Sequence, residues 1–169
     1  MYPGYDMAPP EPSSVRTQRL EIEEFHAEYC WTLDCGDVER WPEYFTDDAV
    51  YRITARENAD AGLPVGLVYA DSKAMIRDRA FAIKHTQMYA PRTLQHFVTN
   101  VRVLHADGGT LKAQSNYLLL QTLVEGPTTI HQSGRYYDTF VRTGAKLLLK
   151  ERQCIYDTVL IANDLVLPV

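Results

Sequence analysis

Beyond Pro91 the chain changes period. Leu94–Ala106, Thr110–Val124, Thr128–Arg142 and Lys146–Ile161 are long segments rich in β-branched and aromatic residues. They are separated by Asp107-Gly108-Gly109, Glu125-Gly126-Pro127 and Thr143-Gly144-Ala145. These short Gly-containing breaks are turn chemistry, so the four segments read as an antiparallel meander. Before Pro91 the spacing is helical. Ile22, Phe25, Tyr29 and Leu33 recur three and four apart within a helix expected from about Arg16 to Asp34, capped by Ser13 or Ser14 and ended by Gly36. Pro42 opens a short helix through Phe45, and Val50–Thr54 and Leu67–Tyr69 read as short strands around a loop ending at Gly66. Ser72 caps a further helix to about Met88, with Ile76, Ala80 and Ile83 on its inner face. Helices followed by a meander make an α+β fold, with one domain over 15–169. Residues 1–14 carry prolines at 3, 9, 10 and 12, which exclude helix and central strand and make this stretch an arm or a disordered tail.

Helices cover one face of such a sheet, yet several strands are apolar on both. Tyr117-Leu118-Leu119-Leu120 and Leu147-Leu148-Leu149 have no polar alternation. The second face is expected to meet another chain or to lie under loops. In the first long strand, strict alternation puts Phe97, Val101 and Val103 on one side and His96, Val98, Asn100 and Leu104 on the other. His96 and Asn100 would then be a polar spot amid apolar neighbours, either a satisfied buried network or a partner-facing patch. Arg77, Arg79, Arg92, Arg102, Arg135, Arg142 and Arg152 are numerous for an acidic chain, and arginine suits interface ion pairs.

With 17 basic against 22 acidic residues, the net charge of −5 lacks the basic footprint that nucleic acid requires. No apolar run approaches the roughly 20 residues of a membrane helix, and the start has no secretory pattern, so a cytoplasmic protein is expected. Cys30, Cys35 and Cys154 read as reduced thiols without the spacing of a zinc or iron–sulfur site. There is no glycine-rich phosphate loop, no nucleophile elbow and no paired-His zinc helix. What remains for proton chemistry is a pairing of His85, His96, His105 or His131 with Asp71, Asp138 or Asp157.

Several stretches in order resemble one family. They are Trp41-Pro42-Glu43-Tyr44-Phe45-Thr46-Asp47-Asp48-Ala49-Val50-Tyr51; Tyr69-Ala70-Asp71-Ser72 with Met75-Ile76 and Arg77-Asp78-Arg79; and Arg92 with His96 and Asn100-Val101. Ser115-Asn116-Tyr117, Gly134-Arg135-Tyr136-Tyr137-Asp138, and Lys150-Glu151-Arg152 with Asp157, Asn163, Leu165 and Leu167-Pro168-Val169 complete the series. Over about residues 17–169 the chain resembles the small (β) subunits of aromatic-ring-hydroxylating dioxygenases. Within them, Gly62-Leu63 through Gly66-Leu67-Val68-Tyr69-Ala70-Asp71-Ser72 is most similar to terephthalate dioxygenase small subunits, with salicylate hydroxylase and anthranilate dioxygenase small subunits close to it.

The resemblance implies a cystatin-like α+β roll, a curved and mainly antiparallel sheet over helices. It implies a non-catalytic subunit in a hexamer of three large and three small chains, served by a reductase. The Rieske [2Fe-2S] cluster and mononuclear Fe(II) would belong to the large subunit, with no cofactor or metal in this chain. Arg77, Arg79, Arg92, His96, Asn100, Arg135 and Tyr137 are then the expected contacts to the large subunit. The alternative on the same roll is a free-standing isomerase or dehydratase of the ketosteroid isomerase or scytalone dehydratase type, using an Asp/His pair. A roll interior plugged by aromatics would argue for the subunit, and a roomy pocket with a carboxylate beside a histidine for the enzyme.

Overall fold

A computed structural model describes residues 2–158 and 165–169. Helix α1 (Arg16–Asp34) leads through a 3₁₀ turn (Trp41–Tyr44) into β1 (Phe45–Ala55). Then come α2 (Arg56–Asp60), β2 (Val68–Ala70), α3 (Lys73–His85), β3 (Arg92–Asp107), β4 (Thr110–Leu123), β5 (Thr128–Thr143) and β6 (Lys146–Tyr156). The strands form one sheet in the order β2-β1-β6-β5-β4-β3, antiparallel throughout except for the parallel pair β1 and β6. This is the expected α+β architecture, with the four long strands as the meander β3 to β6.

The expected α1 stripe is the buried one: Ile22, Phe25, Tyr29 and Leu33 face the sheet. Gly36 at φ 74° ends the helix, a conformation that costs a side-chain-bearing residue strain. The expected serine cap does not form. Val15 occupies that position, and Ser14 Oγ donates instead to the Glu11 carbonyl. Ser72 does cap α3, accepting from the Met75 N–H, and Ile76, Ala80 and Ile83 are buried. That helix stops at His85, short of Met88, where the Thr86 hydroxyl takes the Ala82 carbonyl. Helix α2 lies where a plain loop was expected. Strand β6 stops at Tyr156, short of the expected reach to Ile161, with Asp157 and Thr158 outside it; the remainder of that reach, and Asn163, lie outside the described residues.

Strand β3 departs from simple alternation. Its register with β4 shifts between Thr99 and Arg102, with Asn100 at φ 56°. The bulge reverses the facing as far as Val103, which is buried while Phe97, of the same parity, is exposed, and a second shift between Val103 and His105 restores it. His96 and Asn100 therefore do not share a face; His96 points inward and Asn100 is exposed. Gly134 of β5 is fixed by its neighbour, since a Cβ there would lie 2.1 Å from the Ile155 carbonyl oxygen.

The arm lies on the sheet instead of trailing free. Tyr5 is buried with Tyr137, Leu104, Ile155 and Ala59, and Tyr2 packs against the group. Tyr5 and Tyr137 meet edge to face at 5.2 Å, and the Tyr5 hydroxyl shares a 2.9 Å hydrogen bond with Thr139 Oγ1. The sheet face opposite α1 and α3 is thus covered in part by the chain's own N-terminal residues.

Candidate functional site

The concave interior is where enzymes of this architecture would place their chemistry. Strand pairing brings Asp138 of β5 opposite Arg152 of β6, and Arg152 opposite Tyr51 of β1. Arg152 is 0% exposed. Its Nε and Nη2 donate to the two Asp138 oxygens, both at 2.9 Å, and Nη2 also reaches His26 Nδ1 at 3.1 Å. The guanidinium is sandwiched between the Tyr29 ring at 4.3 Å and the Tyr136 ring at 4.2 Å. A planar, weakly hydrated cation suits this double-faced aromatic slot. Tyr117 then stacks on Tyr136 at 4.4 Å and donates to Gln132 Oε1 at 2.6 Å.

The far end of the interior is stoppered. Val169 is fully buried, its carbonyl accepting from Tyr51 at 3.1 Å and Tyr29 at 3.3 Å. Tyr51 accepts in turn from the Val169 N–H, and Trp41 Nε1 donates to the Tyr29 hydroxyl at 2.8 Å. Arg152, Tyr29, Tyr136, Trp41 and Val169 fill the centre of the interior, and beside it a groove of about 380 Å³ remains between α1 and β3, lined among others by His26 and by Asp34 with His96.

Electrostatics follow from this burial. Burial together with the neighbouring Arg152 charge pushes His26 well below its usual range, so His26 is neutral. Burial works against the Arg152 charge, but Asp138 outweighs it and moves the guanidinium further up. Burial lifts the Asp138 carboxyl, and Arg152 partly offsets that rise. Burial pushes the Cys30 and Cys154 thiols up to about 12, which makes them poor nucleophiles and poor metal ligands. Among the described residues no group of three or more His, Cys, Asp or Glu side chains could hold a metal ion. The Cys and His residues of this chain therefore do not fit a Rieske cluster or a mononuclear iron.

The histidine–carboxylate pairs differ from those expected. His85 meets Glu39 at 3.1 Å, His105 meets Asp107 at 2.8 Å, and His96 Nδ1 meets Asp34 at 2.6 Å. The histidine beside Asp138 is His26, at 3.8 Å, and Asp157 pairs with Arg56. Asp34 and His26 were the missed members. Their signal lay in the α1 pattern: His26 follows Phe25 on the buried side, and Asp34 closes the last turn.

The seven expected contact residues are not gathered into one patch. Arg77 is exposed on α3, whereas Arg79 donates to the Val166 carbonyl at 2.9 Å. Arg92 donates to Gln121 Oε1 and the Ala90 carbonyl. His96 is tied to Asp34, Asn100 sits exposed in the bulge, and Arg135 lies half-buried on the outer face opposite Asn116. Tyr137 is buried beneath Tyr2 and Tyr5, so another chain reaches it only where the arm is displaced.

The SnoaL-like domain family matches residues 15–153. The chain is 38% identical over 150 residues to the anthranilate 1,2-dioxygenase small subunit of Burkholderia cepacia, covering 89% of this chain and 93% of that one. It belongs to the small-subunit family of the aromatic-ring-hydroxylating dioxygenases. The terephthalate 1,2-dioxygenase terminal oxygenase component subunit beta 2 of a Comamonas species is 32% identical over 149 residues, covering 88% of this chain and 97% of that one. A crystal structure of a dioxygenase β subunit from Novosphingobium aromaticivorans superposes with a TM-score of 0.85 at 35% identity, covering 92% of this chain and 99% of that one. The cystatin-like roll expected of such small subunits is the fold described above.

Proposed function

We propose that the chain is a structural, non-catalytic small subunit of an oxygenase component in the cytoplasm. It would hold the large subunits together in a hexamer of three large and three small chains. The Rieske [2Fe-2S] cluster and the mononuclear Fe(II) reside in the large subunit, and a reductase supplies electrons from NAD(P)H. The observation that carries this reading is the plugged centre of the roll: an arginine clamped between two tyrosines and bound to Asp138 occupies it. The substrate class is an aromatic carboxylate, cis-dihydroxylated in the large subunit for aromatic catabolism. Two relatives support that class, one named for anthranilate at 38% identity and one for terephthalate at 32%.

The test is co-expression with a Rieske-type large subunit. Copurification as one assembly, with iron and acid-labile sulfide following the large subunit alone, is the expected result. His26→Gln removes the titratable group beside Asp138 and is expected to leave turnover per assembled complex within about twofold. A fall of about 10²–10⁴ in an intact assembly would mark a general base and overturn the proposal.

A further inference from the structure

Strand β3 is an edge of the sheet: β4 pairs with one side of it, and among the described residues no strand pairs with the other. The opposite edge, β2, has only 3 residues. Strand β3 has 16, roughly 50 Å of backbone at about 3.3 Å per residue. Its stretch Thr93–Val101 contains no Asp, Glu, Lys or Arg. A long, apolar and uncharged edge is a template on which another chain can add a strand, so folded proteins block such edges. Three features stand against it here. The His96 backbone N–H turns away from β4 and donates to the Asp34 carboxylate at the end of α1, at 3.0 Å. At Asn100 the bulge breaks the regular ladder. Beyond the bulge the N-terminal arm passes round the edge. Val15 lies in the core beneath α1, and Tyr5 is buried against Leu104 and Tyr137 on the outer face. Between them Pro9, Pro10, Glu11 and Pro12 face Val101, Arg102 and Val103 across a cleft of about 240 Å³. Proline has no backbone N–H to give, so this stretch can cover a strand edge without extending the sheet itself.

We propose that the β3 edge is a self-association surface for a second copy of this chain, and that the N-terminal arm is the strap that keeps it closed. Two copies related by a two-fold axis would bring the same antiparallel stretch face to face, and with no charge between Thr93 and Val101 nothing in it repels its own copy. Antiparallel alternation points the backbone groups of Val98 the same way as those of His96, two residues earlier. Asp34 already holds the His96 N–H, so a second strand would start at Val98 and run past the bulge, where the prolines of the arm lie. Few contacts close the strap. Within residues 2–14 only Tyr5 is buried, its hydroxyl bonded to Thr139 Oγ1 at 2.9 Å. Tyr2 is half-buried and accepts from Arg52 at 3.1 Å. Residues 6–14 are exposed apart from the half-buried Pro10. Two tyrosines therefore decide whether the edge is covered.

The experiment compares sedimentation of the full chain as wild type, Tyr5→Phe, Tyr5→Leu, and Tyr2→Ser combined with Tyr5→Ser. Tyr5→Phe keeps the ring in its pocket and should sediment as wild type. The double-serine chain should gain an association step that wild type lacks, with a Kd of about 10 µM or tighter. Tyr5→Leu fills part of the pocket and should show an intermediate gain, so the comparison stands even where the double-serine chain does not fold. In the associated form, amide exchange at Val98 should slow by at least about tenfold, because pairing at the edge protects that N–H. Adding Thr99→Lys to either released chain places a charge on the exposed edge and should return sedimentation to the wild-type pattern. No added association in folded Tyr5→Leu would overturn the proposal. So would association that leaves Val98 exchange unchanged or survives Thr99→Lys, since the copies would then be meeting through the uncovered Tyr137 face and not the edge.

Discussion

Replacing Arg152 with methionine tests the arrangement at its centre. The substitution keeps much of the side-chain length but removes two 2.9 Å hydrogen bonds to Asp138, one to His26 and the stacking on Tyr29 and Tyr136. It strands the Asp138 carboxylate at 1% exposure. Breaking a buried pair by removing one partner costs about 3–5 kcal/mol, set against about 5–15 kcal/mol for a whole domain. At a urea slope of about 2 kcal/mol/M, a loss of about 4 kcal/mol lowers the unfolding midpoint by about 2 M. Trp41, buried against Phe45 and Tyr51, provides the fluorescence signal. Adding Asp138→Leu removes the stranded charge. The double variant should then recover to within about 1–3 kcal/mol of wild type, the remainder being the donor that His26 loses. If Arg152→Met costs under about 1 kcal/mol, or the double variant loses the sum of the two singles, the buried pair is not the unit described.

Acid sensitivity should trace to His26. Its protonation is suppressed in the fold, so the unfolded chain takes up the extra proton as pH falls below about 6.5. Its contribution is complete above that pH and is lost below it by up to about 1.4 kcal/mol per unit. His26→Gln should flatten the slope of stability between pH 6.5 and 5, with the opposing Asp138 contribution common to both proteins; an unchanged slope would show that His26 titrates normally. Tyr51→Phe removes the hydroxyl that both donates to and accepts from Val169, and should cost about 1–3 kcal/mol in urea unfolding without changing the fold by circular dichroism. Tyr5→Ala should cost about 3–5 kcal/mol, as for other buried aromatics, and expose Tyr137 to solvent-borne nitration, whereas Tyr5→Phe should cost only about 0.5–1.5 kcal/mol for the Thr139 bond.

The long strands and α1 were legible because their signals are local: glycine turns, a three-and-four stripe, a serine cap before α3. The β3 facing was not legible, because a bulge at Asn100 leaves alternation intact in the sequence while turning the chain over in space. The arm's course was equally hidden. Its prolines forbid regular structure, and only the tertiary position of Tyr137 and Leu104 gives Tyr5 somewhere to go. At the site, four of the histidines drew attention as single residues, but which carboxylate each meets depends on long-range register. Asp34 lies far from His96 in sequence, and His26 far from Arg152 and Asp138. The filled interior was legible only as a choice between two outcomes, since residue types alone do not say whether tyrosines line a cavity or close it.

The parallel partnership of β1 with β6 has a consequence for the order of events during folding. Strands β3 to β6 can zip by successive hairpins, each closing a short loop. Strand β1 can pair with β2 on one edge, but its other edge must wait for β6, the last of the described strands, before it can bond. During synthesis, then, α3 can pack on β1 early, but neither can join the meander until β6 has left the ribosome. The closing of so large a loop makes this a slow-folding topology for its size. Until β6 arrives, the free edge of β1 is open to pairing with other chains, which makes the late C-terminal third of the sequence the guard against aggregation of the first.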